Sequence, residues 1–191
     1  MILPDNRFTV VLDANVMYPM LKRDILLRFF ECGLFKARWS DEIIAEWTRN
    51  LIQNKPHLEE KVRRTEELIR QSFPDAMVSG YEDLVDALEL PDADDRHVLA
   101  VAIKCGAEYI VTENLRDFPS RKISKYDVEV GTADAFLTGT FDLFPVEAIS
   151  DLRVHRLSLS SAPEPSEYIM LVQSRGLPQL ASRLKGHREL L

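Results

Sequence analysis

The apolar run Val10–Val11–Leu12 stops abruptly at Asp13. A short run of this kind predicts a buried strand, here with a carboxylate at its carboxyl end. The pattern then turns helical. Leu21, Ile25, Leu26, Phe29 and Phe30 recur at three- and four-residue spacing up to Gly33, a natural helix stop. A second helix opens at Ser40, an N-cap residue, with Asp41 and Glu42 in its first turn and Ile43, Ile44, Trp47 and Leu51 as its buried stripe. A third follows Pro56 and is charged on its outer face. A fourth runs from about Asp95 to Cys105, with Gly106 as its stop. "EYIVT" and "YDVEV" predict two more short strands.

Strands that alternate with helices predict an α/β fold, a central parallel sheet with helices on both faces. In such sheets ligands bind beyond the carboxyl ends of the strands. Asp13 ends the first strand; Thr112, Asn114 and Asp117 follow the strand "YIV". If those strands are neighbours, both groups lie at one sheet edge.

Beyond about residue 140 the composition changes, which divides the chain into a first domain over 1–140 and a helical C-terminal extension over 141–191. "TADAFLTGTFDLFPVEAISDLRVHRLSL" reads as one or two helices. Pro163 and Pro165 predict a non-helical linker, followed by a helix ending near Gly176 and a shorter one after Pro178. Ile169, Met170, Val172, Leu177, Leu180 and Leu184 give this pair an apolar face. Two short helices are too few to build a core, so they must dock on the first domain, a second copy or a partner. A homo-oligomer is the expectation.

The chain has 191 residues, 46% of them hydrophobic. No run reaches the roughly 18 apolar residues of a membrane span, and the start lacks the pattern of a secretory signal. Cys32 and Cys105 sit in helical patterns and read as reduced core residues of a cytoplasmic protein. The net charge of −7 argues against binding nucleic acid or membrane through the whole surface. Residues 1–143 carry eighteen Lys/Arg and twenty-six Asp/Glu, whereas residues 144–191 carry six and five, so the acid excess lies in the first part.

Those acids have addresses. Glu46 lies one helical turn after Glu42, at the border of the buried stripe. Asp95 begins the helix whose Ala100 and Ala102 allow close packing on a sheet. Asp92 and Asp94 suit a turn or a cap. Each acid alone has a structural excuse; Asp13, Glu46, Asp95 and Asp117 near one sheet edge carry more weight. His97 follows Asp95 by two residues, which turns it to another face and marks it as structural. His57, His155 and His187 lack metal-ligand spacing. Neither a glycine-rich phosphate loop nor a Cys or Ser nucleophile pattern is present.

In order and spacing, "LDANV", "IIAEW", "DRHVLAVA" and "VTENLRDF" resemble the four acidic motifs of the PIN domain family, metal-dependent nucleases with a flavodoxin-like α/β fold. The resemblance runs from about residue 8 to about residue 130. "PDADDRHVLAVAI" with "VTENLRDFP" looks like the branch that holds the VapC toxins of bacterial toxin–antitoxin pairs. The resemblance implies that Asp13, Glu46, Asp95 and Asp117 are the catalytic, metal-holding acids. Asn15, Thr112, Asn114 and Asp92 take supporting roles; Asn114 stands where many members carry an Asp. The extension is similar to that of some longer VapC-like proteins.

The chemistry agrees with the residue types. Hard oxygen ligands select Mg²⁺ or Mn²⁺, and such an ion activates water and stabilises charge on a phosphodiester. Clustered carboxylates without metal repel one another and bind protons. The expectation is a divalent-metal-dependent endoribonuclease acting on RNA and restrained by an antitoxin protein. Arg116, Arg121 and Lys122 beside the last acid motif are the candidate RNA contacts; Arg49, Lys55, Lys61, Arg63 and Arg64 read by default as a solvated helix face. The alternatives are a PIN-fold module that binds RNA or protein without cleaving it, and a phosphoacceptor receiver domain. The second lacks the paired acid after the first strand and the late strand-end Lys.

Overall fold

The computed structural model describes residues 8–191. They fall into two compact units. One holds the described residues up to Tyr18 together with Lys36–Gly131; the other holds Pro19–Phe35 with Thr132–Leu191.

The first unit is built on a four-stranded sheet of β1 (Thr9–Leu12), β2 (Lys36–Arg38), β3 (Tyr109–Val111) and β4 (Glu129–Gly131), in the order β2-β1-β3-β4. Every pairing is parallel; Val11 stands opposite Arg38 on one side and Ile110 on the other, and Ile110 opposite Val130. The two central strands read as unbroken apolar runs because both of their faces are covered. Val10, Val11, Leu12, Ile110 and Val111 are all fully buried. The chain leaves β1 for β2 on one side and comes back to β3 on the other. The carboxyl ends of β1 and β3 therefore flank the switch point, where a doubly wound sheet opens its crevice.

The helices of this unit are α1 (Ala14–Met17), α3 (Asp41–Asn54), α4 (Glu59–Ser72), α5 (Glu82–Val85), α6 (Arg96–Cys105) and α7 (Ser120–Ile123). The Ser40 hydroxyl caps α3 by accepting from Ile43 N at 3.2 Å. α6 lies against β1, β2 and β3, with Ala100 and Ala102 fully buried. Gly106 closes it at φ +63, a left-handed conformation that a side chain would strain. The hydrophobic pattern does not predict β2. Only three residues long, Lys36–Arg38 buries Ala37 alone, and so shows no period.

The second unit is helical: α2 (Met20–Glu31), α8 (Ala133–Leu143), α9 (Pro145–Ser158), α10 (Pro165–Ser174) and α11 (Pro178–Lys185). It begins again at Thr132 rather than near residue 140, and it takes in α2 from early in the chain. The C-terminal helices thereby find the core that two short helices lack. α11 packs on α8, and α9 packs on both α2 and α8. Tyr168, Val172, Leu177, Leu180 and Leu184 are fully buried, whereas Met170 is exposed. The carboxylate of Asp134 on α8 caps α11, accepting from Gln179 N at 2.9 Å and Leu180 N at 3.0 Å.

Two expectations need correction. Pro165 does not exclude helix; it is the first residue of α10, where its missing N–H leaves no bond unmade. Glu164 and Glu167 complete a capping box around it. Cys32 and Cys105 are free thiols but not core residues. Cys32 caps the carboxyl end of α2 and is exposed, and Cys105 is half-buried. Among the described residues no helix is long and apolar enough to cross a membrane.

Candidate active site

Asp13 leaves β1 at the switch point and caps α1. Its Oδ1 accepts from Ala14 N at 2.6 Å, the polarity expected at a helix N-terminus. Its Oδ2 accepts from the Thr112 hydroxyl at 2.6 Å and from Asn15 Nδ2. Asn15 also donates to Thr112 Oγ1 at 2.8 Å, and its Oδ1 accepts from Glu113 N at 3.0 Å. Asn114 N donates to Thr112 Oγ1 at 3.0 Å. Asn15 and Thr112 thus stitch the end of β1 to the loop after β3 and fix the Asp13 carboxylate between them. Asn114 takes part through its backbone, while its residue as a whole is exposed.

Asp95 sits at the N-terminal end of α6. Its Oδ2 is buried and has no hydrogen-bond partner. Its carboxyl is pushed up to about 7, first by burial and then by the charges of Asp13, Asp117, Asp92 and Glu46. Five acids from separate parts of the chain therefore act on one another here. Burial, opposed by the Thr112 hydrogen bond and reinforced by Glu46, also raises the Asp13 carboxyl. Asp117 is half-exposed on a one-turn helix over Leu115–Asp117. Asp92 is exposed and accepts from Asp94 N at 2.9 Å, the closure of a local turn.

His97 is the residue that spacing misplaces. It is 5% exposed, with Nε2 3.5 Å from Glu46 Oε2 and Nδ1 3.8 Å from Glu42 Oε2. Burial disfavours its charge, but the Glu46 hydrogen bond and the Glu42, Glu46 and Asp13 charges outweigh that and raise its pKa. Glu42 also accepts from the Tyr81 hydroxyl at 3.3 Å. Glu42 and Glu46 share one face of α3, but nothing in their spacing names His97 as their partner.

The candidate RNA contacts differ among themselves. Arg116 and Arg121 are exposed. Lys122 is engaged by Glu89 at 2.7 Å, which offsets its charge. Across α4, Arg63 is likewise paired, with Glu59.

The donor set is all hard oxygen, and the orphaned, buried Asp95 Oδ2 is a lone pair in want of a cation. Among the described residues no three His, Cys, Asp or Glu side chains form a ready-made cage for a metal ion.

A family model described as PIN domain matches residues 9–116, a span that includes Asp13, Glu46, Asp95 and Thr112 and ends one residue before Asp117. Over 69 residues the chain is 41% identical to a Mycobacterium tuberculosis (strain ATCC 25618 / H37Rv) protein whose name classes it provisionally as ribonuclease VapC50. That match spans 36% of this chain and 40% of the other protein's length. No solved structure matches.

Proposed function

We propose, from the premise that this chain belongs to the PIN domain family, that it is a Mg²⁺- or Mn²⁺-dependent endoribonuclease. The observation that carries the proposal is Asp95: a buried carboxylate oxygen without a partner, among four other acids, at the switch point of a parallel sheet. Asp13, Glu46, Asp95 and Asp117 would hold the ion. When bound, it supplies positive charge to the phosphodiester and lowers the pKa of a water.

The chain's own residues do the rest. Thr112 and Asn15 hold Asp13 in one rotamer through Oδ2, and Oδ1, which accepts from Ala14 N, would keep one lone pair for the cation. His97 restrains Glu46 at the wall of the crevice. Asp95, protonated near neutrality without metal, releases its proton when a cation takes its place. Arg116 and Arg121, exposed and close to Asp117 in sequence, would meet backbone phosphates.

A toxin role rests on the likeness to VapC50. An inhibitory partner protein would then enter the acidic crevice with an Arg or Lys, because a guanidinium pairs with two carboxylate oxygens and replaces the charge of the metal. An RNA substrate and such a partner would both be met in the cytoplasm, where the protein is expected to act.

A circular RNA, which has no ends, tests the activity. The wild-type chain should linearise it in Mg²⁺ or Mn²⁺ and leave it intact in EDTA. Binding of the circle without cutting in either metal would instead favour a PIN-fold module that has lost catalysis.

A further inference from the structure

The crossover from β3 to the edge strand β4 forms a groove of about 700 Å³, inside the range of small-ligand sites, about 300–1,000 Å³. Its floor is apolar: Phe118, Ile123 and Val128 line it and are buried. Leu115 lines it too and is 44% exposed. Asp117, the last acid of the candidate site, lies on the same one-turn helix as Leu115 and directly precedes Phe118. The groove and the acid cluster thus share one segment of chain.

The polar lining is rich in acceptors. Glu129 N donates to Glu108 O at 2.9 Å, and Gly131 O accepts from Thr112 N at 3.0 Å. Val130, between them, turns its own amide and carbonyl to the free side of the sheet. Asp127 is exposed, and among the described residues no group bonds or pairs with its carboxylate. Its backbone lies at φ +56, a left-handed conformation in which Asp and Asn are the favoured side chains. Arg116, Arg121 and Lys125 of the same crossover are exposed. Residues 115–128 carry four Lys/Arg and two Asp/Glu, a local excess of cation in a chain of net charge −7.

These features fit one class of ligand. An apolar floor takes the flat face of an unstacked nucleobase, and the cations outside it take the neighbouring phosphates. A carboxylate accepts two parallel N–H bonds. Guanine is the RNA base whose Watson–Crick edge sets two donors side by side, its ring N–H and its amino group. Adenine and cytosine set one amino group beside an acceptor, and uracil sets one ring N–H between two acceptors. A peptide strand added to β4 fits less well. Such addition draws its affinity from a ladder of main-chain bonds, and this three-residue strand offers the free peptide group of Val130 alone.

We infer that the groove beside β4 receives an unpaired guanine of the RNA, close to the scissile phosphate, and that Asp127 reads its Watson–Crick edge. The inference rests on the nuclease reading, so it is tested first with a ligand that holds no bond to cut.

Guanosine monophosphate (GMP), titrated into the full chain and followed by amide NMR, should shift the resonances of Ser120, Ser124 and Val130. The adenosine, cytidine and uridine monophosphates should bind at least about tenfold more weakly, the scale of one bidentate base contact. Asp127→Asn keeps a residue suited to a left-handed backbone, so its circular dichroism and melting temperature should match wild type. The new carboxamide offers one acceptor and one donor, the complement of adenine. D127N should therefore lose about tenfold or more in GMP affinity and gain affinity for adenosine monophosphate. Equal affinity for the four nucleotides, GMP shifts confined to other parts of the chain, or a D127N variant that keeps the guanine preference would overturn the inference. So would an extended apolar peptide that shifts Val130 where GMP does not, which would assign the groove to a protein partner. Cleavage of a randomised single-stranded RNA separates the two readings. Cutting without enrichment of guanine near the cut overturns the guanine site and leaves the nuclease; GMP binding as described, with no cutting in Mg²⁺ or Mn²⁺, overturns the nuclease and leaves a guanine site.

Discussion

The Thr112 hydroxyl donates to Asp13 Oδ2 at 2.6 Å and so ties the carboxyl ends of β1 and β3 together across 99 positions of chain. Thr112 is fully buried and Asp13 is 2% exposed. Nothing from solvent replaces this donor when it is lost. Thr112→Val keeps the shape but leaves Asp13 Oδ2 with Asn15 as its one remaining donor and removes the acceptor used by Asn15 and Asn114. It should cost about 1–3 kcal/mol, read as a lower urea midpoint, and it should weaken Mn²⁺ binding. Thr112→Ser retains the hydroxyl and should recover most of both.

Asp95 makes the metal-free protein sensitive to pH in a defined direction. Its carboxyl titrates near 7 in the folded chain and at about 3.9 when unfolded. Between those values the folded state binds more protons, so stability falls as pH rises through that window. Asp95→Asn removes the penalty. In EDTA at pH 8 the variant should therefore melt about 4–8 °C above wild type, as expected for relief of about 2 kcal/mol in a chain of this size. At pH 4 the difference should vanish. A variant less stable than wild type at pH 8 would show that Asp95 makes favourable contacts in the absence of metal.

His97 adds to the same trend from the other charge. Its pKa is raised in the folded state, so the stability it contributes is complete below about 6.5 and is lost as pH rises through the folded value. His97→Gln should flatten that part of the metal-free profile. An NMR titration of the imidazole should give a pKa above its ordinary value in wild type, and a lower one in Glu46→Gln.

In the second unit His155 works in the opposite direction. Its Nδ1 lies 2.7 Å from the Tyr168 hydroxyl, its Nε2 is buried without a partner, and burial pushes its pKa down to about 4. Unfolding lets the ring take up a proton between about 6.5 and 4, so stability is lost as pH falls through that window. The full loss is about 3 kcal/mol. His155→Gln should remove most of this acid sensitivity, seen as a shallower fall of melting temperature between pH 6.5 and 4.

Much of the first unit was legible because its signals are local. Val10–Leu12 and Tyr109–Val111 are buried on both faces and show it as apolar runs, and Ser40 and Gly106 mark their helices by their own chemistry. β2 was not legible, since three residues with one buried alanine carry no period. The companionship of α2 with the C-terminal helices was hidden for a different reason: it depends on packing between segments more than 100 positions apart, such as Arg28 with Ser158. At the site, residue types and their order singled out the acids, but not how they bear on one another. His97 escaped because helical phase was counted from Asp95, a cap outside the regular helix. Its partners Glu42 and Glu46 belong to a different helix, so no local pattern links them to it.

The central claim is that the carboxylates around Asp95 hold a divalent cation. The most direct measurement is Mn²⁺ binding by electron paramagnetic resonance, comparing the wild-type chain with Asp95→Asn at pH 7.5, with folding of both checked by circular dichroism. Wild type should bind Mn²⁺ and release it to Mg²⁺, and the variant should bind at least about tenfold more weakly, the scale expected when a ligand or its close support is lost. Equal Mn²⁺ affinity in the two folded proteins would contradict the assignment of the cation to this cluster.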